Sequence, residues 1–161
     1  MPRQRKDDTR SVYDKALGLL ARREHSAREL KTKLAVRGHA ADEAAVAIDR
    51  LKDQQYQSDD RFAGGLARRR AAQGYGPRRI EAELKSHGLG DAAIREVIAA
   101  VDIDWPTAAA AQLRRHYGAR ARGDRDERAK RIGFLLRRGF DAATVRAVTR
   151  ADSGDPGPDF D

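Results

Sequence analysis

Between residues 27 and 51 the apolar side chains recur three and four positions apart: Leu30 and Leu34, then Ala44, Ala47 and Ile48. Positions at that spacing share one face of a helix, so each set is a buried stripe on its own helix. The pattern returns as Ile80 and Leu84 followed by Ile94, Val97 and Ile98, and again as Phe134 and Leu135 followed by Val145 and Val148. In every copy a glycine separates the two stripes. Gly38, Gly88 and Gly139 lie 50 and 51 residues apart, each behind a basic residue: Arg37, His87 and Arg138. Self-similarity at such a period marks tandem structural units. A further helix precedes each pair, predicted over 11–24, 59–73 and 105–117. Strand-type alternation is absent, so the expected fold is all-α, three tandem repeats of three helices.

The punctuation agrees with this division. Ser26 followed by Glu29 is a capping box, opening a helix that Gly38 closes. Gly76-Pro77 opens the matching helix of the second copy, with proline at the first helical position. Asp124 or Asp126 is expected to cap the third. Asp59, Asp60 and Asp104 sit at helix starts, where carboxylates are favoured. The repeats are drawn at 11–57, 58–102 and 103–150, between a disordered N-terminus (1–10) and an acidic disordered tail, "ADSGDPGPDFD" (151–161). Two irregularities stand out. Arg131 takes the place of Leu30 and Ile80, so the third middle helix must pack differently or slip by a residue. Gly64-Gly65 interrupts a helix at about 1 kcal/mol per glycine relative to alanine, marking a close contact or a weak spot.

Charge adds a function class. The 161 residues carry 33 Lys+Arg against 25 Asp+Glu, a net +8. The excess is mostly arginine, which pairs bidentately with phosphate and carboxylate. A polyanion or an acidic protein surface is the expected partner. With no cysteine, disulfides, thiolate metal sites and cysteine nucleophiles are excluded. No apolar run is long enough to span a membrane, and "MPRQRKDDTR" lacks a hydrophobic signal core, so a soluble, cytoplasmic protein is expected.

Candidate chemistry is sparse. His25 and Ser26 are adjacent, a poor geometry for in-line activation, and the serine already has a capping role. The histidines, at 25, 39, 87 and 116, lack metal-ligand spacing, and Asp59-Asp60 reads as a helix start before it reads as a cation site. Neither enzyme activity, nor a metal, nor a cofactor is expected. What remains is a recurring set of cations. Arg22, Arg23, Arg28 and Lys31 belong to the first copy; Arg68, Arg69, Arg70, Arg78, Arg79 and Lys85 to the second; Arg114, Arg115, Arg137 and Arg138 to the third. Stacked repeats would align equivalent positions into a positive ridge. Tyr75 is a candidate for base stacking, whereas Tyr13, spaced with Leu17, is expected in the core.

Several of these stretches together resemble one family, the RecX regulators of the bacterial RecA recombinase. "ARREHSARELKTKL" (21–34), "SDDRFA" (58–63), "RAAQGYGPRRIEAEL" (70–84) and "FLLRRGF" (134–140) resemble its motifs in order and spacing, across roughly residues 11–150. The resemblance implies an elongated, curved array of right-handed three-helix bundles. It also implies a monomeric, non-enzymatic protein that binds the RecA–DNA filament and suppresses its extension, ATP hydrolysis and strand exchange, with DNA phosphates as secondary contacts. The Gly64-Gly65 pair and the acidic tail depart from the family pattern. A self-sufficient DNA-binding protein that competes for strands is the alternative.

Overall fold

The computed structural model describes residues 11–118 and 125–153, and among them there are nine helices and no strand. They are α1 (Val12–Arg22), α2 (Ala27–Val36), α3 (Ala41–Asp53), α4 (Asp59–Ala72), α5 (Pro77–Ser86), α6 (Asp91–Ala100), α7 (Trp105–Tyr117), α8 (Arg125–Arg137) and α9 (Ala142–Ser153). The predicted first helices are α1, α4 and α7. Residues 151–153, drawn in the acidic tail, instead belong to α9, whose helical hydrogen bonding runs to Ser153. The N-terminal segment 1–10, Asp124 and the rest of the tail, 154–161, lie outside the described residues. No described helix is long and apolar enough to cross a membrane.

The chain folds as two compact units, Met1–Phe62 and Ala63–Asp161, so the division falls inside α4. In the first unit α3 packs against both α1 and α2. Their shared core is Ala16, Leu19, Leu30, Leu34, Ala44, Ile48 and Leu51, with Tyr13 and Leu17 partly buried against it. The second unit holds α5 on α6, and α9 against both α7 and α8. Leu113, Leu135, Phe140, Val145 and Val148 form the core of its last three helices. The stripes predicted from spacing face the cores: Leu30, Leu34, Ile80, Leu84 and Leu135 are wholly inaccessible, whereas Ile98 and Phe134 are partly buried.

Ser26 caps α2 as expected, its Oγ accepting from the Glu29 amide at 3.1 Å. A neighbouring donor, the Ala27 amide, is taken by Asp59 Oδ1 at 2.9 Å, so the first residue of α4 holds the start of α2. Asp126 lies within α8 rather than ahead of it, so it is not the cap of that helix. The glycines that end α2, α5 and α8 all adopt positive φ: 87° at Gly38, 84° at Gly88 and 93° at Gly139.

Arg131 keeps the register of the other two copies. Leu135 is buried four residues on and Gly139 turns the chain as its counterparts do. The arginine itself is buried, paired with Asp152 of α9 and lying 5.1 Å from the centre of the Tyr117 ring. The third middle helix thus packs as the others do, with an ion pair where they hold an aliphatic side chain. Gly64-Gly65 is not a close helix contact. A Cβ at Gly65 would meet nothing within 4 Å, and one at Gly64 would meet only the Arg68 guanidinium at 3.3 Å.

Candidate anion-binding surface

Of the nominated cations only Arg70 and Arg138 are half-buried; the others, Arg23, Arg79 and Lys85 among them, are exposed. Arg22, Arg28, Lys31, Arg68, Arg69, Arg78, Arg114, Arg115 and Arg137 are exposed on their helices. Each lies off the apolar stripe of its helix, as the wheel requires.

Arg70 is engaged. It bridges α4 to α5 through a two-point contact with Glu83, Nε to Oε2 at 2.8 Å and Nη2 to Oε1 at 2.7 Å, and Nη1 also reaches Gln73. The Arg70 hydrogen bonds hold the Glu83 carboxyl below its usual range despite its partial burial. Paired this way, Arg70 is half-buried and serves as a brace between helices.

Arg138 is also turned inward. Its Nη2 donates to the Gln73 carbonyl at 2.7 Å and its Nε to the Gly74 carbonyl at 3.3 Å, fastening α8 to the turn before α5. Backbone completes this seam. The Gly76 amide donates to the Arg138 carbonyl at 2.8 Å, and the Arg78 amide to the Gly139 carbonyl at 2.9 Å. Orphan amides at the start of α5 thereby meet orphan carbonyls at the end of α8, positive helix end against negative. Glycine is required here by space: a Cβ at Gly76 would lie 2.4 Å from the Gly139 carbonyl carbon. Gly76 occupies the place that Ser26 holds in the first repeat, so a side-chain cap is replaced by docking to another helix end.

Tyr75 completes the seam. The Arg79 and Arg138 guanidiniums lie over its ring, 4.0 and 4.2 Å from the centroid. The expectation that this ring stacks on a base gives way to an internal cation–π contact. Tyr13, expected in the core, packs against its edge, partly buried, with its hydroxyl donating to Gln54 at 2.6 Å.

In the first unit Arg23 pairs with Glu29 and donates to the Glu24 carbonyl at 2.9 Å, while Lys33 reaches Glu29 at 3.3 Å. His25 is buried, its Nδ1 2.9 Å from the Arg23 carbonyl and its Nε2 3.1 Å from Lys33 Nζ. Burial lowers its pKa. With Ser26 committed to the Glu29 amide, the two side chains hold the start of α2. Asp59 is engaged likewise, accepting from Ala27 and from Gln57 Nε2 at 3.0 Å. Among the described residues no three His, Asp or Glu side chains are grouped to hold a metal.

Partial burial would raise the Glu29 carboxyl, but the hydrogen bond and charge of Arg23, with His25 and Lys33 adding to them, bring it from an ordinary 4.5 to about 2. Because the folded value lies below the unfolded one, its contribution is complete above about pH 4.5 and is lost toward pH 2. Glu29→Gln should therefore lower the melting temperature at pH 7, with the gap to wild type closing as pH falls from 4.5 to 2. A gap that stays constant across that range would remove the ionised pair from the account.

Sequence marks Glu29 only as a capping-box residue, not as a partner of Arg23 and Lys33, and does not mark Glu83 at all. Glu29 and Lys33 stand at i, i+4, which could have found that pair. Arg70 and Glu83 lie on different helices, and no spacing rule joins them.

The chain matches the RecX family's models for the first, second and third three-helix domains over residues 13–51, 58–98 and 103–149. Regulatory protein RecX of Xanthomonas axonopodis pv. citri (strain 306) is 44% identical over 153 residues, covering 95% of this chain and 94% of that protein. The namesake from Stenotrophomonas maltophilia (strain K279a) is 41% identical over the same shares. Among solved structures, RecX from Lactobacillus salivarius superposes with a TM-score of 0.71 at 20% identity, over 87% of this chain and 93% of that one. At that identity the likeness is one of fold.

Proposed function

This chain belongs to the RecX family of regulatory proteins, and we propose that it is a non-catalytic regulator of the RecA recombinase, working as a cytoplasmic monomer without cofactor. It binds the RecA–DNA filament and opposes extension, ATP hydrolysis and strand exchange. One observation carries the reading beyond family membership: every copy of the helical module displays exposed cations, Arg22, Arg28 and Lys31, then Arg68, Arg69 and Arg78, then Arg114, Arg115 and Arg137. A filament repeats its own surface along DNA, so a repeated set of modest contacts gains from multivalency. Clamping adjacent protomers in one relative geometry favours that state over those visited during hydrolysis and exchange.

Arg70 and Arg138 brace elements within the second unit, and the exposed cations of each copy make the contact. Titration against preformed filaments tests the proposal. ATP hydrolysis should fall with well under one molecule per DNA-bound protomer. Inhibition that requires saturation of the DNA would instead establish competition for strands, with the steep salt dependence of phosphate binding.

A further inference from the structure

Resting on that reading, we propose that the groove between α5 and α6 docks a mixed-charge face of the recombinase protein, while phosphate contacts lie elsewhere. The groove encloses about 550 Å³. Arg78, Lys85 and Arg95 line it together with Glu81 and Asp91, and its floor includes the buried Ile94. Lys85 and Asp91 stand 3.3 Å apart with most of each side chain exposed.

Both signs along one groove suit a protein surface. A phosphodiester backbone presents negative charge at every step and would meet Glu81 and Asp91 as repulsion. Charges of alternating sign set register and reject partners that do not match.

The fold does not require these charges, as the chain's own repetition shows. Counted from Gly38, Gly88 and Gly139, the position of Lys85 is Ala35 in the first copy and Leu136 in the third. That of Asp91 is alanine in both, Ala41 and Ala142, and that of Glu81 is Lys31 and Ile132. Arg95 corresponds to Ala45 and Arg146. Only the middle copy alternates sign here. Stability does not account for it either, because an exposed pair such as Lys85–Asp91 contributes about 0–1 kcal/mol.

The test rewrites the groove in the first repeat's residues, Glu81→Lys with Asp91→Ala, which the same scaffold already accommodates. Docking of a mixed-charge protein face expects inhibition of filament ATP hydrolysis to weaken about tenfold. Affinity of the chain alone for a labelled oligonucleotide, read by fluorescence anisotropy, should hold or tighten, and helical content should be unchanged. Inhibition that is unaltered, or strengthened in step with DNA affinity, would overturn the docking assignment while leaving the proposed function in place. A wild-type chain that binds DNA but never inhibits below saturation would remove that function and the docking surface with it, so the two failures are distinguished by the wild-type titration run alongside.

Discussion

Gly139→Ala should destabilise the second unit by about 3–4 kcal/mol. Alanine at φ 93° carries a left-handed backbone penalty of about 1–2 kcal/mol. Its Cβ would also stand 2.5 Å from Arg79 Cβ and 2.7 Å from the Arg79 amide nitrogen. Those atoms belong to the helix start that α8 docks on, so relief requires parting the seam. The two amide–carbonyl bonds lost with it are worth roughly 1 kcal/mol each. Gly38→Ala is the matched control, because Gly38 has nearly the same φ, 87°, and a Cβ there would meet nothing within 4 Å. It should show the backbone penalty alone. Urea denaturation of the full chain measures both, and equal losses would show that the seam contributes no stability.

The second large effect is on inhibition. Arg68→Glu with Arg69→Glu should weaken filament inhibition at least tenfold and leave the melting temperature unchanged, since both side chains are exposed. If they meet phosphate, the salt dependence of DNA binding should flatten by about one phosphate contact per arginine removed. Arg70→Glu should behave differently. It sets a carboxylate against Glu83, whose two oxygens Arg70 now holds, and should lower the melting temperature. Reversing all three arginines at once would therefore confound contact with folding. Full inhibition by the Arg68/Arg69 variant would move the anion surface elsewhere.

The difference between these arginines marks where sequence reading stops. Apolar spacing reports burial, and burial sets the helices, so Leu30, Ile80, Leu84 and Leu135 could be placed in cores before any coordinates. Ser26 and Glu29 announced a helix start because their interaction is local. Arg68, Arg69 and Arg70 are identical in type and adjacent in sequence, yet Arg70 alone finds a carboxylate on the next helix. Arg138 bonds carbonyls of the turn before α5, and Gly76 meets the backbone of Gly139, partners far away along the chain. "GYGPRR" could be read as a turn and a helix start. That Gly76 admits another helix end, and that Tyr75 lies under two arginines, depends on how the second and third repeats pack. Arg131 shows the same limit: alone it points to a different packing or a slipped register, because its half-buried partner Asp152 on α9 is not legible.

Electron microscopy of the chain bound to a RecA–DNA filament tests the central claim most directly. The expected reconstruction has the helical repeats lying along the filament, touching more than one protomer, with Arg68 and Arg69 toward DNA and the α5–α6 groove against protein. Density confined to protein-free DNA, or filaments undecorated at concentrations that inhibit hydrolysis, would contradict it.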